Sequence, residues 1–339
     1  MQPYLIDTDA IARWATAKGY RKLLFQAPDG IKRFLIEAVK ELEDQGFEIA
    51  LSASHAWGGC DVALTELAAL GYDALVHAGH HAPVRFRAPE NVLFVPAYST
   101  VDVKNVIENA AAKLSSEGIR AVGLLSSVQH LHKLEQARRL LLEYGISAYT
   151  SKSPDPMMPE GLVIGCDLRA AAKLVGLVEA FLVIAGGVFH ALGVALATEA
   201  RTFAADPYTG RVVEVDRILR STVAKRLAHL AAVIEARNGI LVVSSKPGQR
   251  ASKRRVDALL KSCLERGLKL RLIIFDEVSR DALLDYGGAE VFVNAACPRL
   301  SLDDQHVFPG PAVNASELEI VLKNGLEAYK PWFALQPFV

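Results

Sequence analysis

Four cysteines occur in 339 residues, few enough that each can be asked for its reason. Cys60 closes the run AWGGCD, Cys166 falls in GLVIGCD and Cys297 in VNAACPR, each directly after small residues at the exit of an extended run. Cys263 differs. With Val256, Leu259, Leu260 and Leu264 it is spaced as one apolar helix face, so it reads as core, where a thiol packs as a small hydrophobe. The other three fall in three well-separated stretches, one thiolate each. An iron–sulfur cubane as a rule takes four thiolates, so a set of three leaves one iron for substrate, by the logic that keeps a position open in catalytic metal sites. Zinc is the competing reading, with Cys60, Cys166, Cys297 and one of His80, His81, His130 or His132 closing a tetrahedron.

The elements that must position these residues repeat. TDAIARWATAKGYRKLLFQAPDG reads as a helix, a stop at Gly19, a strand and a loop, and the same order recurs around Gly118 and Gly239. Each copy continues with a helix, a second strand, a strand ending in small residues (DALVHAGH, AFLVIAGG, AEVFVNAAC) and a fourth apolar run (NVLFVPAYS, ARTFAADPY, HVFPGPAV). Strands alternating with helices predict parallel sheets wrapped by helices. The expectation is three similar α/β domains, at residues 1–100, 101–216 and 217–339, meeting in a pseudo-threefold arrangement about a central site. Ligands in such sheets bind beyond the carboxyl ends of the strands. There the chain places QAPDG, SVQHLH and SKPGQR after the first strands and GHH, GGVFH and CPR after the third.

Composition narrows the classes. The chain is 51% hydrophobic and 22% charged, with 38 Lys+Arg against 38 Asp+Glu. A balanced charge supplies no global field for nucleic acid or an anionic membrane, so neither is expected as a partner. Residues 180–198, AFLVIAGGVFHALGVALAT, carry no formal charge and match a membrane span in length. Gly186 and Gly187 split them into a β-branched front and a helical back, which predicts a buried strand, turn and helix. An early acid and no apolar core after a basic start make a secretory signal unexpected, and the cytoplasm, where thiols stay reduced, is the expected compartment.

The segment SKPGQR precedes the helix of the third copy, with Lys246, Gln249 and Arg250 as donors near a helix N-terminus, a suitable place for a carboxylate. The five cations Lys246, Arg250, Lys253, Arg254 and Arg255 fall within ten residues. They read either as a solvated face or as a dock for an acidic patch on a protein.

CDVA after WGG, DALVHAGH, the pair QH in SSVQHLHKL, VIGCD, GGVFHALGVALAT followed by DPYTG, SSKPGQR and ACPRLSLDD together resemble the archaeal diphthamide synthases, the 2-(3-amino-3-carboxypropyl)histidine synthase family. The resemblance runs in order across nearly the whole chain, and KPGQ and ACPRLS are its most specific pieces. It implies a homodimeric enzyme of three domains whose Cys60, Cys166 and Cys297 hold a [4Fe–4S] cluster. S-adenosylmethionine would bind the open iron, with Lys246, Gln249, Arg250, Gly186 and Gly187 around it. An electron from a donor would release methylthioadenosine and place the 3-amino-3-carboxypropyl group on C2 of a histidine of translation elongation factor 2, the first step of diphthamide formation. His80, His130 and His190 are the candidates for deprotonating that imidazole, by location. One departure is His81-Ala82-Pro83, where members often carry a small hydroxyl residue after GlyHis. The nearest rival class is a quinolinate-synthase-like dehydratase using a three-cysteine cluster as Lewis acid, and a zinc-closed binding protein is a second.

Overall fold

The computed structural model describes residues 3–81 and 87–338, so Ala82 and Pro83 lie outside the described residues. In the first stretch the strands are β1 (Tyr4–Leu5), β2 (Lys22–Gln26), β3 (Glu48–Leu51), β4 (Ala74–Ala78), β5 (Val92–Val95) and β6 (Tyr98–Ser99). The second contributes β7 (Ala121–Ser126), β8 (Ser147–Tyr149), β9 (Ala180–Ile184), β10 (Thr202–Asp206) and β11 (Arg211–Glu214). The third contributes β12 (Asn238–Ser244), β13 (Lys269–Phe275), β14 (Val291–Asn294) and β15 (Ala312–Asn314). Three sheets result, ordered β3-β2-β4-β5, β8-β7-β9-β10-β11 and β13-β12-β14-β15. All pairings within them are parallel except β10 with β11. A short antiparallel ribbon of β1 and β6 stands apart.

The order is the same each time: the first strand of a unit lies between the second and the third. The chain therefore turns to one side after the first strand and to the other after the second, which opens a crevice at the carboxyl ends of the first and third strands. Both faces of each sheet are covered. In β2, Leu23 and Phe25 enter one apolar cluster and Leu24 another; in β12, Leu241 and Val243 face one way, Ile240 and Val242 the other. Alternation along a pleated strand with apolar residues on both sides is what a parallel sheet between helices requires.

Residues 180–198 form β9, a turn and the helix Phe189–Thr198, as the glycine pair predicts. Among the described residues no helix is long and apolar enough to cross a membrane. Gly19 ends its helix in the left-handed region at φ 74°, donating to the Ala15 and Thr16 carbonyls. Gly239 does not play this part. The helix Asp216–Glu235 ends at Ala236 in extended backbone, and Gly239 lies inside β12, where a Cβ would stand 2.6 Å from the Val291 carbonyl oxygen. Its glycine serves close strand approach. Cys263 is fully buried in the helix Lys253–Glu265, but Leu264, expected on the same face, is 63% exposed.

The second and third units share a core. Leu302, Ala334 and Leu335 pack with the helix Phe189–Thr198 in one cluster. Gln129 Nε2 donates to the Gly79 carbonyl at 2.8 Å and so ties the second unit to the first.

Candidate active site

One cavity of about 390 Å³ is lined by Cys60, Cys166 and Cys297 together, within the roughly 300–1,000 Å³ of small-molecule sites. The three cysteines do not come from equivalent loops, contrary to the similar settings expected. Cys60 and Cys166 follow the second strand of their units, Cys297 the third. Neither Cys60 nor Cys166 stands at a strand exit. Cys60 lies in a turn closed by the Asp61 N–H on the Gly58 carbonyl at 2.9 Å. Cys166 shares a two-residue turn with Gly165, closed by reciprocal Ile164 and Asp167 backbone bonds of 3.3 and 3.2 Å. Packing of carboxyl ends, not the repeat, brings the thiols together.

Each turn is locked by a buried neighbour. Asp61 pairs with Lys246 Nζ at 2.7 Å. Asp167 accepts from Arg169 Nε at 3.0 Å, from Arg169 Nη2 at 2.6 Å and from Ser153 Oγ at 3.0 Å. Burial pushes the Asp167 carboxyl up, but these donors outweigh it and hold it below the usual range. Beside Cys297, Asn294 Nδ2 donates to the Cys297 carbonyl and to Asn314 Oδ1, each at 2.8 Å. Asn314 Oδ1 also accepts from Ser301 Oγ at 2.7 Å, and Asn314 Nδ2 donates to the Pro298 and Ala334 carbonyls. Arg226 and Glu317, both fully buried, pair beneath this network, and Arg226 Nη1 donates to the Ser301 carbonyl at 2.9 Å.

The small residues before the cysteines have a steric reason. A Cβ on Gly59 would stand 2.0 Å from the His81 carbonyl oxygen. One on Gly165 would stand 2.9 Å from the Phe189 ring and 3.4 Å from Arg299 Cγ. Arg299 bridges units: its guanidinium lies 3.7 Å from the Phe189 ring centroid and donates to the Phe189 carbonyl at 2.9 Å and to Asp303.

The segment SKPGQR departs from its expected role. Lys246 is engaged with Asp61, and Gln249 Nε2 donates to Cys60 Sγ at 3.5 Å. Gly248 packs so closely that a Cβ would stand 2.4 Å from the Cys60 carbonyl oxygen. Lys246 and Gln249 border the cavity, but Arg250 is exposed and lies outside its lining. The chain is already leaving toward the helix Lys253–Glu265, whose N-terminus is capped by Ser252 accepting from the Arg255 N–H. Gly186 and Gly187 are also exposed and outside the lining; Gly187 donates its N–H to Asp206 at 3.2 Å.

Of the candidate histidines, His80 and His190 line the cavity, as does His81; His130 is fully buried and does not reach it. His132 is exposed and packs on Tyr98. Burial holds His130 down to about 4 and His190 to about 3, with Lys133 and Arg299 respectively adding to it. Burial pushes the Cys60 thiol far up, and the nearby Cys297 and Cys166 thiols push it further. Burial likewise raises Cys297 against the Arg299 backbone N–H. Three half-buried thiols, of which Cys166 and Cys297 in ionised form repel that of Cys60, suit a polycationic core. Among the described residues no three His, Cys, Asp or Glu side chains gather about a point for a single ion.

Asn294, Asn314, Arg226 and Arg299 carry no site signal of their own in the sequence, because asparagine and arginine near a strand end are ordinary loop chemistry until their partners are known. The signal available was ACPRLS itself, whose arginine follows the cysteine by two.

The model of the diphthamide synthesis protein family matches residues 27–332. The 2-(3-amino-3-carboxypropyl)histidine synthase of Pyrococcus horikoshii is 32% identical over 309 residues, 90% of this chain and 86% of that one. The synthase of the same name from Methanocaldococcus jannaschii is 25% identical over 326 residues, covering 91% and 87%. The crystal structure of Dph2 from Pyrococcus horikoshii with a 4Fe-4S cluster superposes with a TM-score of 0.83 at 29% identity, covering 99% of this chain and 94% of that one. A match over most of the chain, in sequence and in fold, places this protein in the diphthamide synthesis protein family, whose relatives above are named 2-(3-amino-3-carboxypropyl)histidine synthases.

Proposed function

We propose that the chain transfers the 3-amino-3-carboxypropyl group of S-adenosylmethionine to C2 of a histidine of translation elongation factor 2, with a [4Fe–4S] cluster on Cys60, Cys166 and Cys297. The observation that carries this is the convergence of those three thiols on one cavity from three separate units. Each is presented by a turn that buried polar partners hold. Three domains, 1–100, 101–216 and 217–339, meeting about a pseudo-threefold axis, are the plan this reading assigns. Cys263 lies fully buried in a helix core and leaves the ligand set at three.

When bound, such a cluster supplies a reducing electron, received from a separate donor, and an iron open to the methionine end of the cofactor. The protein's own residues do the rest. Gly248, Lys246 and Gln249 hold the Cys60 turn in place, with Gln249 softening the charge on the Cys60 sulfur. Arg299 and Phe189 close the wall between Cys166 and Cys297. Trp57, 62% exposed at the rim of the cavity, offers an apolar surface to the loop that carries the target histidine. The assembly acts as a cytoplasmic homodimer in this reading, which follows the family resemblance.

Anaerobic purification tests it. Iron and sulfide near four each per chain, methylthioadenosine on reduction with dithionite, and a mass gain on elongation factor 2 are expected. A colourless zinc protein, or 5′-deoxyadenosine as the main nucleoside, would overturn it. Turnover of small dicarboxylates without any reductant would point to the dehydratase class instead.

A further inference from the structure

We infer that His80 is the base that takes the C2 proton of the target imidazole, and that Gln26 and His77 hold it in the one tautomer able to do so. The Ala63 N–H donates to Gln26 Oε1 at 2.9 Å, which fixes that atom as oxygen, since only an acceptor receives a backbone N–H. His77 Nδ1 lies 3.1 Å from the same oxygen and must therefore carry a hydrogen. A neutral imidazole has one, so His77 Nε2 is bare and accepts from His80 Nδ1–H at 2.9 Å. His80 is left with a lone pair on Nε2, at the ring edge away from the relay, and His80 borders the cavity with the three cysteines.

Burial keeps the relay in this state. It holds His77 down to about 3, with His80 adding to it, and His80 to about 4, so both rings are neutral at physiological pH. Gln26 and His77 are almost wholly buried at the ends of β2 and β4, the first and third strands, which flank the crevice of that sheet. The other two histidines lack this arrangement. His130 does not reach the cavity, and neither of its ring nitrogens has a partner among the described residues; His190 borders the cavity, but its Nδ1 has none to fix a tautomer.

The inference rests on the reading proposed above. There the carbon radical forms a C–C bond at imidazole C2, and the adduct holds one electron and one proton more than the product. The electron passes to a one-electron oxidant, the oxidised iron–sulfur centre. The C–H bond then breaks heterolytically, its pair restores the aromatic ring, and the proton goes to His80 Nε2. A cation about to regain aromaticity is a strong carbon acid, so a weakly basic, desolvated imidazole suffices.

The test uses the loaded enzyme, dithionite and elongation factor 2 deuterated at C2 of histidine. In His80→Ala and His80→Gln the yield of modified factor per methylthioadenosine released should fall about 10²-fold, the scale of a lost general base. A C2-deuterium isotope effect, near unity in the native enzyme, should appear, and imidazole should restore part of the yield in His80→Ala. His77→Phe, which keeps the base but frees its tautomer, should fall by only about 2–5-fold, since the productive tautomer remains partly populated. Nitrogen-15 spectra of histidine-labelled apoprotein give a readout without the cluster: His80 Nε2 should resonate as an unprotonated nitrogen, and as a mixture in His77→Phe. A protonated His80 Nε2 in native apoprotein, or nucleoside and modified factor falling together without isotope effect or rescue, would sink the assignment of His80. Native enzyme that releases no methylthioadenosine would overturn the underlying reading instead.

Discussion

Replacing Gly248 by alanine tests whether the KPGQ turn holds Cys60. The added Cβ would stand 2.4 Å from the Cys60 carbonyl oxygen and 2.7 Å from its Cα. Both are backbone atoms and cannot swing aside. Ordinary contact begins near 3.4 Å, so the two turns must part by 3.4 − 2.4 = 1.0 Å. That stretches the 2.7 Å Lys246–Asp61 pair past hydrogen-bonding range and removes the 3.5 Å Gln249 contact from the Cys60 sulfur. Overpacking of this kind costs about 1–3 kcal/mol, and the apoprotein Tm should drop by roughly 5 °C. The fold survives such a loss, but a thiol displaced by about 1 Å binds its metal poorly. Anaerobic iron analysis and calorimetry of the apoprotein read the two effects. Gly30→Ala, with open space around its Cβ, is the control and should leave both near native. If Gly248→Ala kept full iron content and native Tm, the role given to this turn would be wrong.

Iron content should fall in Cys60→Ala, Cys166→Ala and Cys297→Ala, whereas Cys263→Ala should keep its iron and lose on the order of 1 kcal/mol in urea unfolding; an iron-free Cys263 variant would contradict the ligand set. Arg226→Met leaves Glu317 buried without its partner and should cost about 3–5 kcal/mol, most of it recovered when Glu317 is also made apolar, as a double-mutant cycle would show. Acid should weaken the apoprotein below neutrality. His77, His80 and His130 are held at about 3, 4 and 4 in the folded chain against 6.5 unfolded. As pH falls from 6.5 toward 4 the unfolded state takes up protons that the native state refuses, at a cost of up to about 1.4 kcal/mol per pH unit per histidine. The urea midpoint should fall between pH 7 and pH 5, and less steeply in His130→Leu; an unchanged slope there would show that His130 is not held neutral.

Residue order on its own sets the strand and helix succession of all three units, because alternation of β-branched runs with amphipathic helices is written locally and parallel sheets follow from it. It also separated Cys263 from the other three cysteines, since a helix face is a property of spacing. The membrane-like run 180–198 resolved into strand, turn and helix for the same reason: two adjacent glycines break a helix wherever they occur. Gly239 resisted because a glycine between helix and strand suits a cap and a close strand approach equally, and only the neighbouring β14 decides. What the three-dimensional packing alone decided is which loops meet. Lys246 and Gln249 read as ligand donors in the chain, but Asp61 and Cys60, nearly two hundred residues earlier, claim them. Arg250 faces water because the chain turns there into a helix that Ser252 already caps. The tautomer of His80 depends on a backbone N–H at Ala63 and an amide at Gln26, groups that no sequence pattern connects to it. Local structure is fixed by neighbours in the chain, whereas charge, tautomer and thiol separation are fixed by neighbours in space.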